Sequence, residues 1–156
     1  MTGQRIVVKL GTSTLTAGTA FLNRQRMLEL IQQMSRLHQA GNEVIVVSSG
    51  AMAAGRERMN FPDLPRAVPA KQMLSAVGQG RLMAIYGDLF DIFEIVVAQV
   101  LLTRADLSHR TRYINARDTL TTLIEQRIVP VVNENDTVAT DEIRVGDNDN
   151  LSAMVA

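Results

Sequence analysis

The chain has 156 residues, of which 46% are hydrophobic and 21% are charged, so it can bury the core of one domain or of a large part of one. Its 16 Lys and Arg residues balance its 16 Asp and Glu residues, and zero net charge gives no general attraction to nucleic acid or to an anionic membrane. Disulfide bonds and thiolate chemistry are excluded because the sequence contains no cysteine.

The amino-terminal residues have the pattern of a strand rather than of a signal peptide. The apolar runs are shorter than the ~20 residues that a membrane helix needs. These patterns favour a cytoplasmic protein that does not contact the membrane. The two histidines lack the spacing of paired metal ligands, so we expect no metal site built by the protein alone.

Predicted strands and helices alternate along the chain, judged by apolar periodicity and by glycine and proline stops. In chain order, the pattern predicts a strand at 6–10, a helix at 23–39, a strand at 44–47, a short helix at 51–59, a long helix or kinked pair at 67–90, a strand at 95–102, a helix at 113–126, a strand at 128–132 and a small hairpin at 138–145.

The predicted strands are apolar throughout and are separated by helices, which indicates an α/β fold with a parallel sheet covered on both faces. Ligands bind such sheets at the carboxyl ends of the strands. Small or polar residues follow three of the four strands, at 11–13, 48–51 and 133–136, and the third strand is followed by TRAD at 103–106. We therefore expect these polar ends to share one edge of the sheet and to form a site for a small charged ligand.

Two of these strand ends suit phosphate. Gly11 and Gly50 let the backbone approach a ligand closely, and a helix amino terminus that follows offers free N–H groups. A glycine after a strand is also an ordinary turn residue. Neither stretch matches the P-loop or the dinucleotide-binding fingerprint.

Lys9 lies within an otherwise apolar strand, two residues before Gly11. A buried ammonium group loses hydration, which is costly unless an anion compensates for it. Lys9 is therefore a candidate to bind a phosphoryl group at the polar edge. Alternatively, Lys9 lies near the strand end and its side chain simply reaches solvent.

Two clusters of carboxylates and amides lie about ten residues apart near the end of the chain, at 133–136 and 147–150. Aspartate and asparagine there can hold an α-ammonium group or a magnesium–phosphate unit. Asn and Asp are also typical of turns and helix caps, and Asp149 is a candidate cap for a final helix that the sequence predicts from Ser152 onward.

Several sequence motifs together resemble glutamate 5-kinases, a branch of the amino acid kinase superfamily. The matching stretches run in register over almost the whole chain: VKLGTS at 8–13, VSSGA at 47–51, KQ at 71–72, LLTRAD at 101–106, NARDT at 115–119, PVVNEND at 130–136 and VGDNDNLS at 145–152. The lysine and glycine motifs are shared across the superfamily, whereas the last two stretches are more specific to this branch.

The resemblance implies a three-layer α/β/α sandwich with a mainly parallel sheet. It implies transfer of the γ-phosphoryl group of ATP, with Mg²⁺, to the side-chain carboxylate of L-glutamate, the first step of proline biosynthesis. It also implies feedback inhibition by proline at a site that overlaps the glutamate site, and a homo-oligomer. The apolar residues of the long helix at 67–90 are a candidate oligomer contact, or else core.

The resemblance also assigns roles to single residues. Lys9 neutralises the transferring phosphoryl group, and Asp149 orients catalytic lysines. The glutamate contacts are three polar residues: Ser49, Asp136 and Asn148. The phosphate-binding residues are Lys9 and the backbone donors of the two glycine turns: Gly11 and Gly50.

The family's kinase domain is about twice as long as this chain. The resemblance implies that residues 1–156 are the amino-terminal portion of a single amino acid kinase domain, here incomplete, and that the nucleotide-binding half lies beyond Ala156. Two functions are then open: a kinase of which this chain is one part, or a non-catalytic module that binds glutamate or proline. We expect the kinase, with activity of this portion alone in question.

Overall fold

The computed structural model describes residues 3–139 and 147–156, with the backbone alone at positions 147, 150 and 154. The elements in chain order are β1 Arg5–Leu10, α1 Thr12–Thr16, α2 Arg24–Gln39, β2 Glu43–Ser48, α3 Ala51–Arg58, α4 Val68–Asp91, β3 Val97–Leu102, α5 Arg104–Ser108, α6 Arg110–Glu125, β4 Val129–Glu134 and α7 Asp147–Val155.

The predicted strands and long helices are confirmed, with ends that move by a few residues. The stretch at 67–90 forms the single helix α4 rather than a kinked pair. Helices α1 and α5 have no counterpart in the sequence prediction, because five residues are too few to show a helical period. The hairpin predicted at 138–145 falls mainly on positions 140–145, outside the described residues.

The sheet is parallel, as predicted, and its strand order is β1-β2-β4-β3. Leu10, the last residue of β1, pairs with Ser48, the last residue of β2. At the other side of the sheet, Leu102 of β3 pairs with Glu134 of β4. The strands therefore end in matched pairs, and the polar residues that follow them lie along one edge.

Helices cover both faces of this sheet, so the three-layer arrangement is confirmed. Val44 and Val46 of β2 pack in one buried cluster with residues of α2 and α4. Ile45 and Val47, which point to the opposite face, pack in a second cluster with residues of α6 and α7. A parallel strand buried on both faces accounts for the uninterrupted apolar pattern that the sequence shows.

Helices α3 and α4 pack with their backbones in close contact. A Cβ atom on Gly55 would lie 2.0 Å from the carbonyl oxygen of Leu74, and one on Gly78 would lie 1.7 Å from that of Ala51. Of the α4 residues considered as an oligomer contact, Leu82 and Ile85 are buried in the first cluster and Met83 and Leu89 pack against it, so they belong to the core. Within the described residues, no helix is long and apolar enough to cross a membrane.

Candidate functional site

The glycine turns that follow β1 and β2 lie side by side at the carboxyl edge of the sheet. The Ser49 backbone N–H donates to the Leu10 carbonyl oxygen at 2.8 Å, which ties the two turns together. Gly11 precedes α1 and Gly50 precedes α3. Gly50 has a φ of 102°, a left-handed conformation that strongly favours glycine. Gly11 has an ordinary φ of −76°, so its lack of a side chain matters for space rather than for conformation.

Lys9 brings its ammonium group to this pair of turns. Its Nζ lies 3.4 Å from the position that a Cβ atom on Gly11 would occupy. The same Nζ forms an ion pair of 2.7 Å with Oδ1 of Asp149, in the first turn of α7. An exposed cation is therefore fixed beside a turn without a side chain, an arrangement that suits an anionic group.

The surroundings of Lys9 differ from the sequence expectation in one respect. β1 is an edge strand in the described sheet, and the Lys9 side chain is 36% exposed, so it is not desolvated inside a buried strand. The alternative prediction, that the Lys9 side chain reaches solvent, is therefore correct. Even so, the ammonium group points to the polar edge, where its described partner is a carboxylate.

Asn148, next to Asp149 in α7, joins the ends of β2 and β4. Its Nδ2 donates to Oγ of Ser49 at 2.8 Å, to the carbonyl oxygen of Ser48 at 3.2 Å and to Oδ1 of Asn133 at 3.2 Å. Its Oδ1 is buried and has no hydrogen-bond partner among the described residues. An unsatisfied buried acceptor is costly, so a donor that reached this atom would form a stabilising hydrogen bond.

Asp136 lies in a cleft between α4 and the ends of β3 and β4. Its Oδ2 accepts a hydrogen bond of 2.7 Å from Oγ of Ser75, a buried residue of α4. The cleft has a volume of about 280 Å³, enough for a molecule the size of an amino acid. Ala51, in the first turn of α3, also lines it, so the cleft adjoins the Ser49–Gly50 turn.

The structure thus brings five of the seven predicted site residues to one edge: Lys9, Gly11, Ser49, Asn148 and Asp149. Gly50 lies in the turn that follows Ser49, and Asp136 lies in the adjoining cleft. Their positions agree with the prediction of one polar edge, and their roles stay predictions. Within the described residues, no group of three or more His, Asp or Glu side chains lies close enough together to hold a metal ion.

Sequence analysis missed the residues of α4 that support the site. Ser75 holds Asp136, and Gln79 accepts from Nδ2 of Asn133 at 2.8 Å. Tyr86, also in α4, hydrogen-bonds Oγ of Ser48 at 2.7 Å, and burial raises the pKa of its phenol. The available signal is that Ser75 and Gln79 are polar residues four apart on an apolar helix, which places them on one face.

The polar residues after β3 have a local structural role. Thr103 and Asp106 form a reciprocal capping box at the start of α5, and hydrogen bonds from Thr103 lower the pKa of the Asp106 carboxyl. Arg112 pairs with Asp106 and Arg117 with Asp118 on the exposed surface. Helix capping therefore explains the polar residues that follow β3, and no ligand is needed to account for them.

The chain is similar to known proteins over almost its whole length. The profile described as "Amino acid kinase family" matches residues 4–156. The chain is 62% identical over 152 residues to a glutamate 5-kinase of Herpetosiphon aurantiacus, covering 97% of this chain and 41% of that protein. It is 57% identical over 153 residues to the glutamate 5-kinase of Cronobacter sakazakii, covering 98% of this chain and 42% of that protein.

Among solved structures, an aspartate kinase from Synechocystis superposes on 96% of this chain and 26% of its own, with a TM-score of 0.57 and 15% sequence identity. This likeness supports the fold alone. The chain spans about two fifths of the length of the curated relatives that it matches, at 41% and 42%.

Proposed function

Because the chain belongs to the amino acid kinase family, we propose that it forms the glutamate-binding, amino-terminal part of a glutamate 5-kinase. That enzyme transfers the γ-phosphoryl group of ATP to the side-chain carboxylate of L-glutamate and begins proline biosynthesis. The observation that carries the proposal is the placement of Lys9, held by Asp149 beside Gly11, at the same edge as the Ser49–Asn148 pair. The high identity to glutamate 5-kinases supports this choice of substrate.

The proposed reaction suits residues of this kind. The attacking group is a carboxylate that is already ionised near neutral pH, so no general base is required. The chemical difficulty is to bring two anions together in line and to stabilise the charge that spreads over the phosphoryl oxygens. Lys9 supplies a positive charge for this purpose. The backbone N–H groups that follow Gly11 and Gly50 supply oriented donors that need no reorganisation.

Glutamate recognition requires acceptors for its ammonium group and donors for its carboxylates. Asp136 supplies an anionic acceptor in the cleft, and Oδ1 of Asn148, which has no partner among residues 3–139 and 147–156, supplies a neutral one. Ser49 has a hydroxyl group that can donate to a carboxylate while its oxygen accepts from Asn148. We assign the glutamate contacts to these three residues.

ATP and Mg²⁺ are the cofactors of this proposal. The Lys9 ammonium and the two glycine turns fit a phosphoryl group. The described carboxylates do not form a cluster that would hold a metal alone, which is compatible with an ion bound mainly by nucleotide phosphates and by one or two carboxylates. Bound Mg²⁺ would neutralise phosphate charge. We place the nucleotide-binding half outside residues 1–156, consistent with the share of the relatives' length that this chain spans.

The proposal extends to the surroundings of the enzyme. It implies a cytoplasmic location, inhibition by proline at a site overlapping that of glutamate, and assembly as a homo-oligomer. An interface would have to use a surface other than the buried residues of α4.

Acyl phosphate formation tests the proposed function directly. The full-length protein that contains this chain is incubated with ATP, Mg²⁺ and glutamate, aspartate, N-acetylglutamate or carbamate, and acyl phosphate is trapped with hydroxylamine. We expect product with glutamate alone among these acceptors. N-acetylglutamate tests the ammonium contact, because its nitrogen carries no charge.

Product with aspartate or N-acetylglutamate at a similar rate would contradict the assigned substrate. Tight binding of glutamate or proline without any phosphoryl transfer would instead favour the non-catalytic binding module.

A further inference from the structure

Gln79 of α4 lies in a chain of side-chain amides that ends at the proposed glutamate contact Asn148. Nε2 of Gln79 donates to Oε1 of Gln99 at 3.0 Å, and Oε1 of Gln79 accepts from Nδ2 of Asn133 at 2.8 Å. Oδ1 of Asn133 in turn accepts from Nδ2 of Asn148 at 3.2 Å. Three amide groups therefore separate the exposed residue Gln99 from the hydroxyl group of Ser49.

The backbone fixes the direction of this chain. The Glu134 backbone N–H donates to Oδ1 of Asn133 at 2.8 Å, so Asn133 must direct its oxygen to Glu134 and Asn148 and its nitrogen to Gln79. Asn133 is only 3% exposed, so its nitrogen cannot easily turn to water. Gln79 is the described acceptor for this nitrogen, and loss of that acceptor would leave a buried donor unsatisfied.

The orientation of Asn133 also affects the orientation of the Asn148 amide. Its nitrogen faces Asn133, Ser48 and Ser49, and this leaves its buried Oδ1 as an acceptor with no partner in the described part of the chain. If Asn133 rotates to find another acceptor, it withdraws one of the oxygens that hold the Asn148 amide in this orientation. The direction of this acceptor therefore depends on a residue of α4 that does not touch it.

Close helix packing keeps Gln79 in place. Its neighbour Gly78 contacts the backbone of Ala51, so α4 cannot shift without moving the start of α3. One turn earlier on the same face, Ser75 holds Asp136. Both residues bridge from α4 to the carboxyl end of β4 or to the residues after it.

Gln79 also lines the cleft that holds Asp136. We propose that it is a positioning residue for glutamate, acting through Asn133 on the Asn148 amide. The inference rests on the proposed function, because it concerns how the same site holds its substrate. Gln79 is required as a hydrogen-bond acceptor, so a side chain that keeps an oxygen at this position preserves the effect. It contributes to glutamate binding rather than to the chemical step.

The test compares three variants of the full-length protein. Gln79→Met keeps the length of the side chain but removes the acceptor, and we expect the KM for glutamate to rise about tenfold, with kcat and the KM for ATP nearly unchanged. Gln79→Glu keeps an acceptor for Asn133 but adds a charge to the cleft lined by Glu134 and Asp136, so we expect a smaller rise in the KM for glutamate than in Gln79→Met rather than an unchanged KM. Gln72→Met is the matched control: Gln72 lies on the same helix and donates to the Ala139 backbone oxygen, but it does not belong to the amide chain.

A double-variant cycle separates positioning from a general structural effect. In an Asn133→Ala background, Gln79→Met should cause little further rise in KM, because the side chain through which it acts is gone. Calorimetric titration of glutamate, together with the thermal midpoint of each variant, gives a readout independent of turnover.

The possible outcomes are distinct. An unchanged glutamate KM in Gln79→Met, an equal loss in Gln72→Met, or an additive loss in the double variant would each overturn the inference while leaving the kinase proposal intact. A full-length protein that neither binds nor phosphorylates glutamate would overturn the proposed function, and this inference with it.

Discussion

Lys9 contributes to the site through its position rather than through burial. The sequence places it two residues before Gly11, and the structure shows its ammonium group beside that turn, paired with Asp149. An exposed ion pair contributes little to stability, so the pairing is better explained by orientation of the charge. The position of Lys9 was predictable from the strand pattern. Its hydration was not, because strand order decides which strand lies at the edge of a sheet.

In the full-length enzyme, we expect Lys9→Ala to lower kcat by about a hundredfold or more, the order found when a preorganised charge at a transition state is lost. The KM for glutamate should change much less, because the charge acts on the transferring group. Steady-state kinetics measure both constants. Arg5→Ala is the control, since Arg5 lies on the same strand in an exposed pair with Glu43. A kcat close to that of the unsubstituted enzyme would remove Lys9 from the mechanism.

Substitution of Asp136 tests whether this residue binds the ammonium group of the substrate. We expect Asp136→Ala to weaken glutamate binding by roughly 2–5 kcal/mol, because the ammonium group would lose its anionic partner. Nucleotide binding should change little, and calorimetric titration of each ligand measures both. Ser75→Ala removes the hydrogen bond to Asp136 but keeps the charge of the Asp136 carboxylate, so it should cause a smaller loss of glutamate affinity. Equal losses for glutamate and nucleotide would indicate a disrupted fold instead.

The supporting residues of α4 were missed for one physical reason: they are distant in sequence from the residues that they contact. Ser75 is 61 positions from Asp136, and Gln79 is 54 positions from Asn133. Such pairs depend on how α4 crosses the sheet, which no local pattern specifies. The motifs at the strand ends were easier to predict, because the chemistry of each lies within a few consecutive residues and parallel strands bring their carboxyl ends together.

At the scale of elements, apolar periodicity was sufficient to locate the long helices and the strands, but not to order them. Chain order would not predict that β4 lies between β2 and β3. Gly78 shows the same limit. From sequence alone, a glycine within a long helix indicates a weak point, whereas Gly78 is the contact that lets α3 approach α4. A glycine inside a helix is costly in itself, so its packing role explains its presence there.

A matched pair of glycine substitutions in α4 tests this role. Gly78→Ala should destabilise the protein, because the new Cβ atom would overlap the Ala51 carbonyl oxygen and force the two helices apart, at a cost of about 1–3 kcal/mol or more. Gly87→Ala should stabilise it by about 0.5–1 kcal/mol, because nothing lies within 4 Å of its Cβ position and alanine favours the helix. Denaturant unfolding measures both. Similar effects of the two substitutions would contradict the close helix contact.

At the scale of the whole molecule, the sheet has two open sides in the described part of the chain. β1 and β3 each have a paired strand on one side only. Next to β3, the side chains of Ile92 and Val96 are 61% and 62% exposed. Unpaired backbone groups beside exposed apolar side chains favour pairing with another chain. In the proposed full-length kinase, further parts of the domain would provide partners for such surfaces.

We therefore expect residues 1–156, produced alone, to show no ATP-dependent phosphorylation of glutamate and to self-associate. Acyl phosphate trapping measures the first property, and size-exclusion chromatography with light scattering at several concentrations measures the second. Val96→Lys should weaken the association if it uses the β3 side, because a lysine beside an edge strand opposes strand pairing. Leu37→Lys is a control on α2, where another apolar side chain is 38% exposed away from that edge. A monomer at every concentration that phosphorylates glutamate would show that these residues build an ATP site themselves, and the placement of the nucleotide-binding half elsewhere would then be wrong.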